Sequence, residues 1–210
     1  MKKFITYISM QPETGLYKVQ YDPVDMDGIN FSDEVFFPVS VLVNSYVDKG
    51  ENIEIICMME DENTDEIRNL EKLKEEIDQA ASRIGFKYSI KIINVSSEEK
   101  VENHLKLFES LIGTINDGDR VYVCATYGTK PIPIVEMLAL NYAYRVKDDV
   151  SVEKVVYGRV YRNNGEKGDR KAQIFDISPL FTMNQIVNHL AEQRVRNPEK
   201  AIRMLLGSGE

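Results

Sequence analysis

Apolar stretches rich in β-forming residues alternate with amphipathic helical stretches along most of this chain. Strands are predicted over residues 2–10, 52–59, 86–95 and 120–125, and helical patterns follow them over residues 36–50, 63–85, 96–115 and 133–146. Because crossover helices cover a parallel sheet, this alternation predicts an α/β fold. We expect a Rossmann-like open, mostly parallel sheet with helices on both faces.

The helix boundaries carry local signals of their own. Residues 63–85 form the clearest helical pattern, with acids in the first turn and Gly85 at the end. Its apolar positions recur every three or four residues, and its charged face is expected to be solvated. A Ser96–Glu99 capping box is predicted to open the following helix. The apolar positions of the 63–85 helix are Ile67, Leu70, Leu73, Ile77, Ala80 and Ile84.

Beyond residue 150 two β-forming stretches, 151–162 and 170–177, flank the turn-forming residues 163–169. They predict a terminal β-hairpin that adds an antiparallel edge to the sheet. C-terminal helices are predicted at 181–195 and 198–206. The chain is therefore divided into a Rossmann-like domain, residues 1–180, and a C-terminal helical extension, residues 181–210, that serves dimerisation or connection.

The charge of the chain limits its partners. A formal net charge of −8 argues against broad binding of long nucleic acid, which depends on many Lys and Arg contacts with phosphates. Residues 1–105 carry 11 basic and 21 acidic residues, whereas the remainder carries 15 and 13, so an anion site is expected mainly in the second half. No apolar run is long enough for a membrane span and no signal peptide is recognisable, so we expect a cytoplasmic protein without a membrane partner.

The segment VYVCATYGTKPIPIVEML, residues 121–138, ends a buried strand in hydroxyls, a glycine and a lysine just where a helix begins. In the commonest doubly wound order the first and fourth strands are neighbours, and ligands bind beyond their carboxyl ends. The free N–H groups and the dipole at the start of a helix favour an anion there. An ordinary turn and helix cap is the alternative. The candidate phosphate- or ribose-binding residues are Thr126, Tyr127, Gly128, Thr129, Lys130 and Pro131.

The loop after the first strand, SMQPETG, is predicted to face this segment across the crevice. Its candidate ligand-binding residues are Ser9, Met10, Gln11 and Thr14, since hydroxyls and the Gln11 amide can bond to a ribose or a base edge. A plain surface loop is the alternative. Neither a Walker loop nor a G-x-G-x-x-G fingerprint is present in the sequence.

No catalytic set is recognisable, so no catalytic residue is assigned. His104 and His189 are interpreted as surface or boundary residues, and the carboxylates lie mainly on helices expected to be solvated. Cys57 and Cys124 fall in predicted strands and are interpreted as small buried hydrophobes. We expect no metal site and no cofactor. The basic residues of the hairpin are interpreted as solubilising an edge strand; they are Arg159, Arg162, Lys167, Arg170 and Lys171.

Five motifs, in matching order, resemble a CARF domain, the CRISPR-associated Rossmann fold that senses cyclic oligoadenylates in type III CRISPR defence. They are ISMQPETGLYKVQY (8–21), VFFPVSVL (35–42), ATYGTKPIPIVEMLALNYAY (125–144), VEKVVYGRVY (152–161) and IFDISPLFTMNQIV (174–187). The similarity spans nearly all of residues 2–195. The usual motif has Gly or His where Tyr127 stands, and Tyr127 would instead stack on an adenine.

The resemblance implies a homodimer that binds one cyclic oligoadenylate across its two-fold axis, each subunit contributing both loops. Cyclic tetra-adenylate is favoured over hexa-adenylate on family frequency. The leading hypothesis is a sensor that relays the signal through its C-terminal helices to an effector absent from this chain. The alternatives are a stand-alone, metal-independent ring nuclease, which we expect to be slow, and a Rossmann-like domain that binds another nucleotide.

Overall fold

The computed structural model describes residues 1–161 and 171–206 of the chain. Its strands are β1 (Lys2–Tyr7), β2 (Tyr21–Val24), β3 (Asn52–Met59), β4 (Lys87–Asn94), β5 (Arg120–Cys124), β6 (Ser151–Val160) and β7 (Ala172–Asp176). Its helices are α1 (Pro38–Tyr46), α2 (Thr64–Ile84), α3 (Val101–Ile112), α4 (Pro131–Val146), α5 (Ser178–Glu192) and α6 (Pro198–Leu205). Every predicted strand and helix has a counterpart, and β2 is an additional strand that the sequence pattern did not predict.

The seven strands form one sheet in the order β2-β7-β6-β5-β1-β3-β4. All neighbouring strands are parallel except β6 and β7, which are antiparallel. This confirms the α/β class, the open and mostly parallel sheet, and the predicted adjacency of β1 and β5. The prediction of the hairpin as the sheet edge is wrong, because β2 pairs in parallel with β7 outside it. Pro23 cannot donate to a ladder, which suits β2 to this edge position. The predicted turn 163–169 lies outside the described residues.

Each face of the sheet is covered by a pair of helices. α1 and α2 contact each other and share a buried cluster with alternate strand residues such as Phe4 and Tyr122, whose rings stack at 4.8 Å. Ile5 and Val123, which point to the opposite face, are also buried. On that face α3 and α4 pack against each other. The two layers leave the carboxyl ends of β1, β5 and β6 together at one edge of the sheet.

The boundaries of α2 are those the sequence predicts. The Asn63 side chain accepts hydrogen bonds from the backbone N–H groups of Asp65 and Glu66, and Gly85 ends the helix with a φ of +87°. The predicted apolar face is wrong at Ile67, which is 46% exposed. Three polar residues share the inner face with its leucines instead: Glu66, Asn69 and Glu76 are all buried.

The predicted capping box of α3 is wrong. The helix begins at Val101, and its N-cap residue, Lys100, makes no side-chain capping bond. The Ser96 hydroxyl instead accepts from the Glu98 backbone N–H at 3.2 Å and from the Asn103 amide at 3.0 Å. Serine side chains readily close such local turns in competition with helix formation, and here the turn delays the start of the helix.

The chain divides into two compact units, Met1–Ile177 and Ser178–Glu210. The first contains the whole sheet and α1 to α4. The second contains α5, which begins three residues before its predicted start, and α6, at whose end Met204 and Leu205 are exposed. Within the described residues, no helix combines the length and the apolar composition needed to cross a membrane.

Candidate functional site

A crevice of about 380 Å³ lies at the carboxyl ends of the central strands. The loop after β1, the loop after β5 and the end of β6 form its walls, which is the position where open α/β sheets bind ligands. Four tyrosines, one threonine and one arginine give it an aromatic and partly polar lining. The lining residues are Gln11, Gly15, Leu16, Tyr17, Tyr21, Thr126, Tyr127, Tyr157, Gly158, Arg159 and Val160.

The ten residues predicted from the two loops occupy different places around this crevice. Gln11, Thr126 and Tyr127 line it. Ser9 is fully buried beneath it, whereas Thr14 and Lys130 are exposed on the loops. The remaining four are partly buried beside the lining; they are Met10, Gly128, Thr129 and Pro131. Pro131 is the first residue of α4, two residues before the predicted start of this helix.

The loop after β1 is tied to α2 by a buried amide. The Asn69 side chain donates to the backbone carbonyls of Ser9 at 2.7 Å and Gln11 at 2.9 Å. The Ser9 hydroxyl in turn accepts from the Gln11 backbone N–H at 3.2 Å, so this hydroxyl supports the loop from inside. The sequence analysis did not identify Asn69. Its position beside Leu70, on the apolar face of an amphipathic helix, could have indicated a buried polar residue with a structural partner.

The loop after β5 is shaped by Gly128 and Thr126. Gly128 has a φ of +96°, and a Cβ there would lie 3.1 Å from the Tyr7 ring, so the glycine is needed for close packing on β1. The Thr126 hydroxyl accepts from the Gly158 backbone N–H at 2.8 Å, which joins the loop to β6. The Ile132 N–H bonds to the Thr129 carbonyl at 3.0 Å as α4 begins.

Tyr127 is held by protein contacts on the wall of the crevice. Its hydroxyl donates to the Phe36 carbonyl at 3.1 Å, and its ring meets Phe37 edge to face at 5.8 Å. Burial, followed by the proximity of Tyr21, raises its pKa well above the ordinary value. The Phe36 backbone N–H donates to Glu76 of α2, so the crevice wall is connected to the helix layer below. Stacking of Tyr127 on a base stays a prediction.

Three carboxyl groups on α2 and α4 are buried and are exceptions to the expectation that the carboxylates lie mainly on solvated helices. Burial raises the pKa of Glu66 to about 7 and that of Glu76 to about 7. Burial also raises the pKa of Glu136 on α4, and neither of its oxygens has a hydrogen-bond partner among the described residues. None of the three lines the crevice as described. Burial raises the pKa of Tyr7, and the charge of the nearby Glu66 raises it further.

None of the other candidate groups is among the residues that line the crevice. His104 on α3 pairs with Glu99 at 3.1 Å, and His189 lies on α5 in the second unit. Cys57 and Cys124 are buried thiols, as predicted, and burial raises the pKa of Cys57 to about 12 and that of Cys124 to about 11. Within residues 1–161 and 171–206, no group of three His, Cys, Asp or Glu side chains is placed to hold a metal ion.

Tyr157 and Arg159 of β6 were not assigned to the site from the sequence. Arg159 was interpreted as a solubilising residue, but the structure places it in the crevice lining together with Tyr157. Lys171 is exposed, and Arg162, Lys167 and Arg170 lie outside the described residues. The available signal was the alternation of Tyr157, Arg159 and Tyr161, which places aromatic and basic side chains on one side of a strand.

Comparison with known proteins gives one informative similarity. No family model matches the chain. The chain is 29% identical over 132 residues to the CRISPR-associated protein MJ1674 of Methanocaldococcus jannaschii, a match that covers 59% of this chain. The match covers 20% of the relative, so the chain corresponds to about a fifth of that protein's length.

Proposed function

We propose that this chain is a cyclic oligoadenylate-binding sensor module of a type III CRISPR antiviral response. The observation that carries the proposal is the crevice at the carboxyl ends of β1 and β5, lined by four tyrosines, Thr126 and Arg159. Aromatic faces accept stacked bases of any sequence, and hydroxyls and a guanidinium suit ribose and phosphate oxygens. The similarity to a CRISPR-associated protein supports the biological setting.

The loop before α4 supplies the groups for phosphate binding in this proposal. Lys130 is exposed directly before Pro131, the first residue of α4, where the helix dipole favours an anion. Only a few such local donors are needed, which reconciles an oligonucleotide ligand with a net charge of −8. The proposed location is the cytoplasm, and the proposed binding needs no cofactor or metal.

The proposal includes a homodimer with one ring shared between two crevices. A pocket of about 380 Å³ is at the low end of the roughly 300–1,000 Å³ range of small-molecule sites, so one crevice suits part of a ring of four or six adenylates. On α4, Ile134, Leu138 and Tyr142 recur at four-residue intervals and are 64%, 53% and 36% exposed. Because α4 starts at the loop after β5, a two-fold contact along these three side chains would bring two crevices together.

We propose binding without fast cleavage. In-line attack by a ribose 2′-hydroxyl is promoted by alignment and by donors to the phosphate, and a general base adds typically 10²–10⁴-fold. The lining residues that the structure describes include neither a histidine nor a carboxylate. Glu66 and Glu76, whose pKa values are each about 7, lie behind the lining and bond to backbone groups. Conversion to linear products is therefore expected to be slow and independent of metal.

Calorimetry with cyclic tetra-adenylate and cyclic hexa-adenylate tests the proposal, with linear tetra-adenylate as the control for general affinity towards adenylates. We expect tight binding of one ring per two chains, a ring-dependent rise in melting temperature, and intact ring recovered by chromatography after incubation with EDTA. Binding of neither ring would refute the sensor. Several turnovers per minute with EDTA present would make the protein a ring nuclease. Preference for a mononucleotide over both rings would favour a Rossmann-like domain that binds another nucleotide.

A further inference from the structure

The β6–β7 pair extends past the end of the central strands and forms one wall of the crevice. β5 ends at Cys124, which is in register with Val156 of β6. β6 continues to Val160, and its last four residues pair with β7 from Tyr157–Phe175 to Val160–Ala172. At about 3.4 Å per residue these four residues extend roughly 14 Å beyond the carboxyl end of β5. We call residues 157–161 with their β7 partners the ribbon wall.

The ribbon wall is held in place at its base. A Cβ on Gly158 would lie 2.3 Å from Cγ of Pro38, so the strand packs directly against the start of α1. The Gly158 backbone N–H also donates to the Thr126 hydroxyl, in the loop after β5, at 2.8 Å. The wall and the loop after β5 are therefore fixed relative to each other, and side chains next to Gly158 have defined positions in the crevice.

Two side chains of this wall have the chemistry to contact a ligand. Tyr157 lines the crevice and is 41% exposed. Arg159, two residues further along the same side of the strand, also lines it, with its guanidinium 4.6 Å from the ring centre of Tyr161. Stacking on Tyr161 orients the planar guanidinium, which reduces the entropy lost when it binds an anion.

Arg159 differs from several other arginines of the first unit in its ion pairing among the described residues. Among the described residues, no carboxylate forms an ion pair with it. Other arginines of the first unit are neutralised: Arg68 pairs with Asp65 at 2.6 Å, Arg83 with Asp33 at 2.9 Å, and Arg120 with Glu153 at 3.0 Å. An arginine at the mouth of a pocket without such a partner is suited to a phosphate.

We infer that the ribbon wall is a nucleotide subsite that holds one adenylate unit, with Tyr157 stacked on the base and Arg159 bonded to its phosphate. The identity of the ligand rests on the proposed function, whereas the subsite itself rests on the geometry of β6. This assignment makes β6 a third ligand-binding element beside the two loops. It also replaces the interpretation of Arg159 as a residue that solubilises an edge strand. β6 is not an edge strand, because β7 and β2 lie between it and the edge of the sheet.

Calorimetry on the full chain tests this with adenosine 5′-monophosphate, cyclic tetra-adenylate and cyclic hexa-adenylate. The variants are Tyr157→Ala, Tyr157→Phe, Arg159→Ala and Arg159→Lys, and the control is Arg120→Ala, which removes an arginine that is 54% exposed at the amino end of the sheet. We expect the two alanine variants of the wall to weaken binding of the preferred ring at least tenfold. Tyr157→Phe should bind like the wild type, because the stacking face is kept. Arg159→Ala should also reduce the salt dependence of binding.

The outcomes separate this inference from the proposed function. If the wild type binds a ring and both alanine variants bind it equally well with unchanged melting temperatures, the ribbon-wall subsite is refuted and the sensor stands. If the wild type binds the monophosphate through Tyr157 and Arg159 but binds neither ring, the subsite stands and the sensor is refuted. Failure to bind any of the three adenylates would overturn both.

Discussion

Glu136→Leu tests whether the fold keeps a buried carboxyl group protonated at neutral pH. Glu136 lies on the inner face of α4, is 3% exposed, and has no hydrogen-bond partner for either oxygen among the described residues. Burial therefore raises its pKa well above the ordinary value of 4.5. An ionised carboxylate without a partner would be far more costly in this position, so the group stays neutral and the fold bears the cost of protonating it.

The size of this cost follows from the unfolded chain, where the same group ionises near pH 4.5. Holding it neutral costs about 1.4 kcal/mol for each pH unit above that value, or up to about 3.5 kcal/mol at pH 7. Because the pKa is raised in the folded state, the contribution of this group to stability is fully present below pH 4.5 and is lost as the pH rises towards the folded pKa. Leucine removes the titration, so the variant should exceed the wild type in stability by a margin that grows with pH.

Urea unfolding at about pH 5, 6, 7 and 8 measures this margin for the wild type, Glu136→Leu and Glu136→Gln. Glu66 and Glu76 also have raised pKa values, but their contributions are common to all three proteins and cancel in the difference. Glu109→Gln, which changes an exposed carboxylate of α3, is the matched control and should give no such trend. A difference between Glu136→Leu and the wild type that is the same at every pH would refute the reasoning.

Four further substitutions test separate parts of the structure. Asn69→Ala should lower the free energy of unfolding by about 1–3 kcal/mol, because two carbonyls of the β1 loop lose their donor; unchanged urea unfolding would contradict this. Gly128→Ala should lower the melting temperature, since its φ of +96° and the Tyr7 ring leave no room for a Cβ; a stabilised variant would argue against that packing. Lys130→Ala should leave stability unchanged but cost about 1.5–3 kcal/mol of ring affinity per charged hydrogen bond, doubled by the two-fold symmetry; calorimetry showing equal affinity would remove Lys130 from the site. Leu138→Glu should convert a dimer to a monomer in light scattering; a wild type that is already monomeric with and without ligand would refute the dimer itself.

Much of the fold is contained in local sequence patterns. The alternation of β-forming and helical stretches predicted the α/β class, and Asn63 and Gly85 mark the ends of α2 through hydrogen bonds and a backbone angle that depend only on neighbouring residues. The adjacency of β1 and β5 followed from the connection rules of parallel sheets. β2 was missed because it has only four residues, contains a proline, and is paired with β7, a strand about 150 residues away in the chain.

The candidate site likewise has features set by local sequence and features set by contacts between distant segments. The sequence by itself determined that TYGTKP ends a strand and begins a helix, because turn and cap signals are local. Only the tertiary structure decided that Asn69 supports Ser9 from 60 residues away, that Tyr127 bonds to Phe36 across 91 residues, and that Arg159 reaches the crevice. A periodic pattern specifies which face of an element is inward, but not what it meets there. The partner of a buried polar group is set by packing between distant segments, and this packing places the side chains of the candidate site.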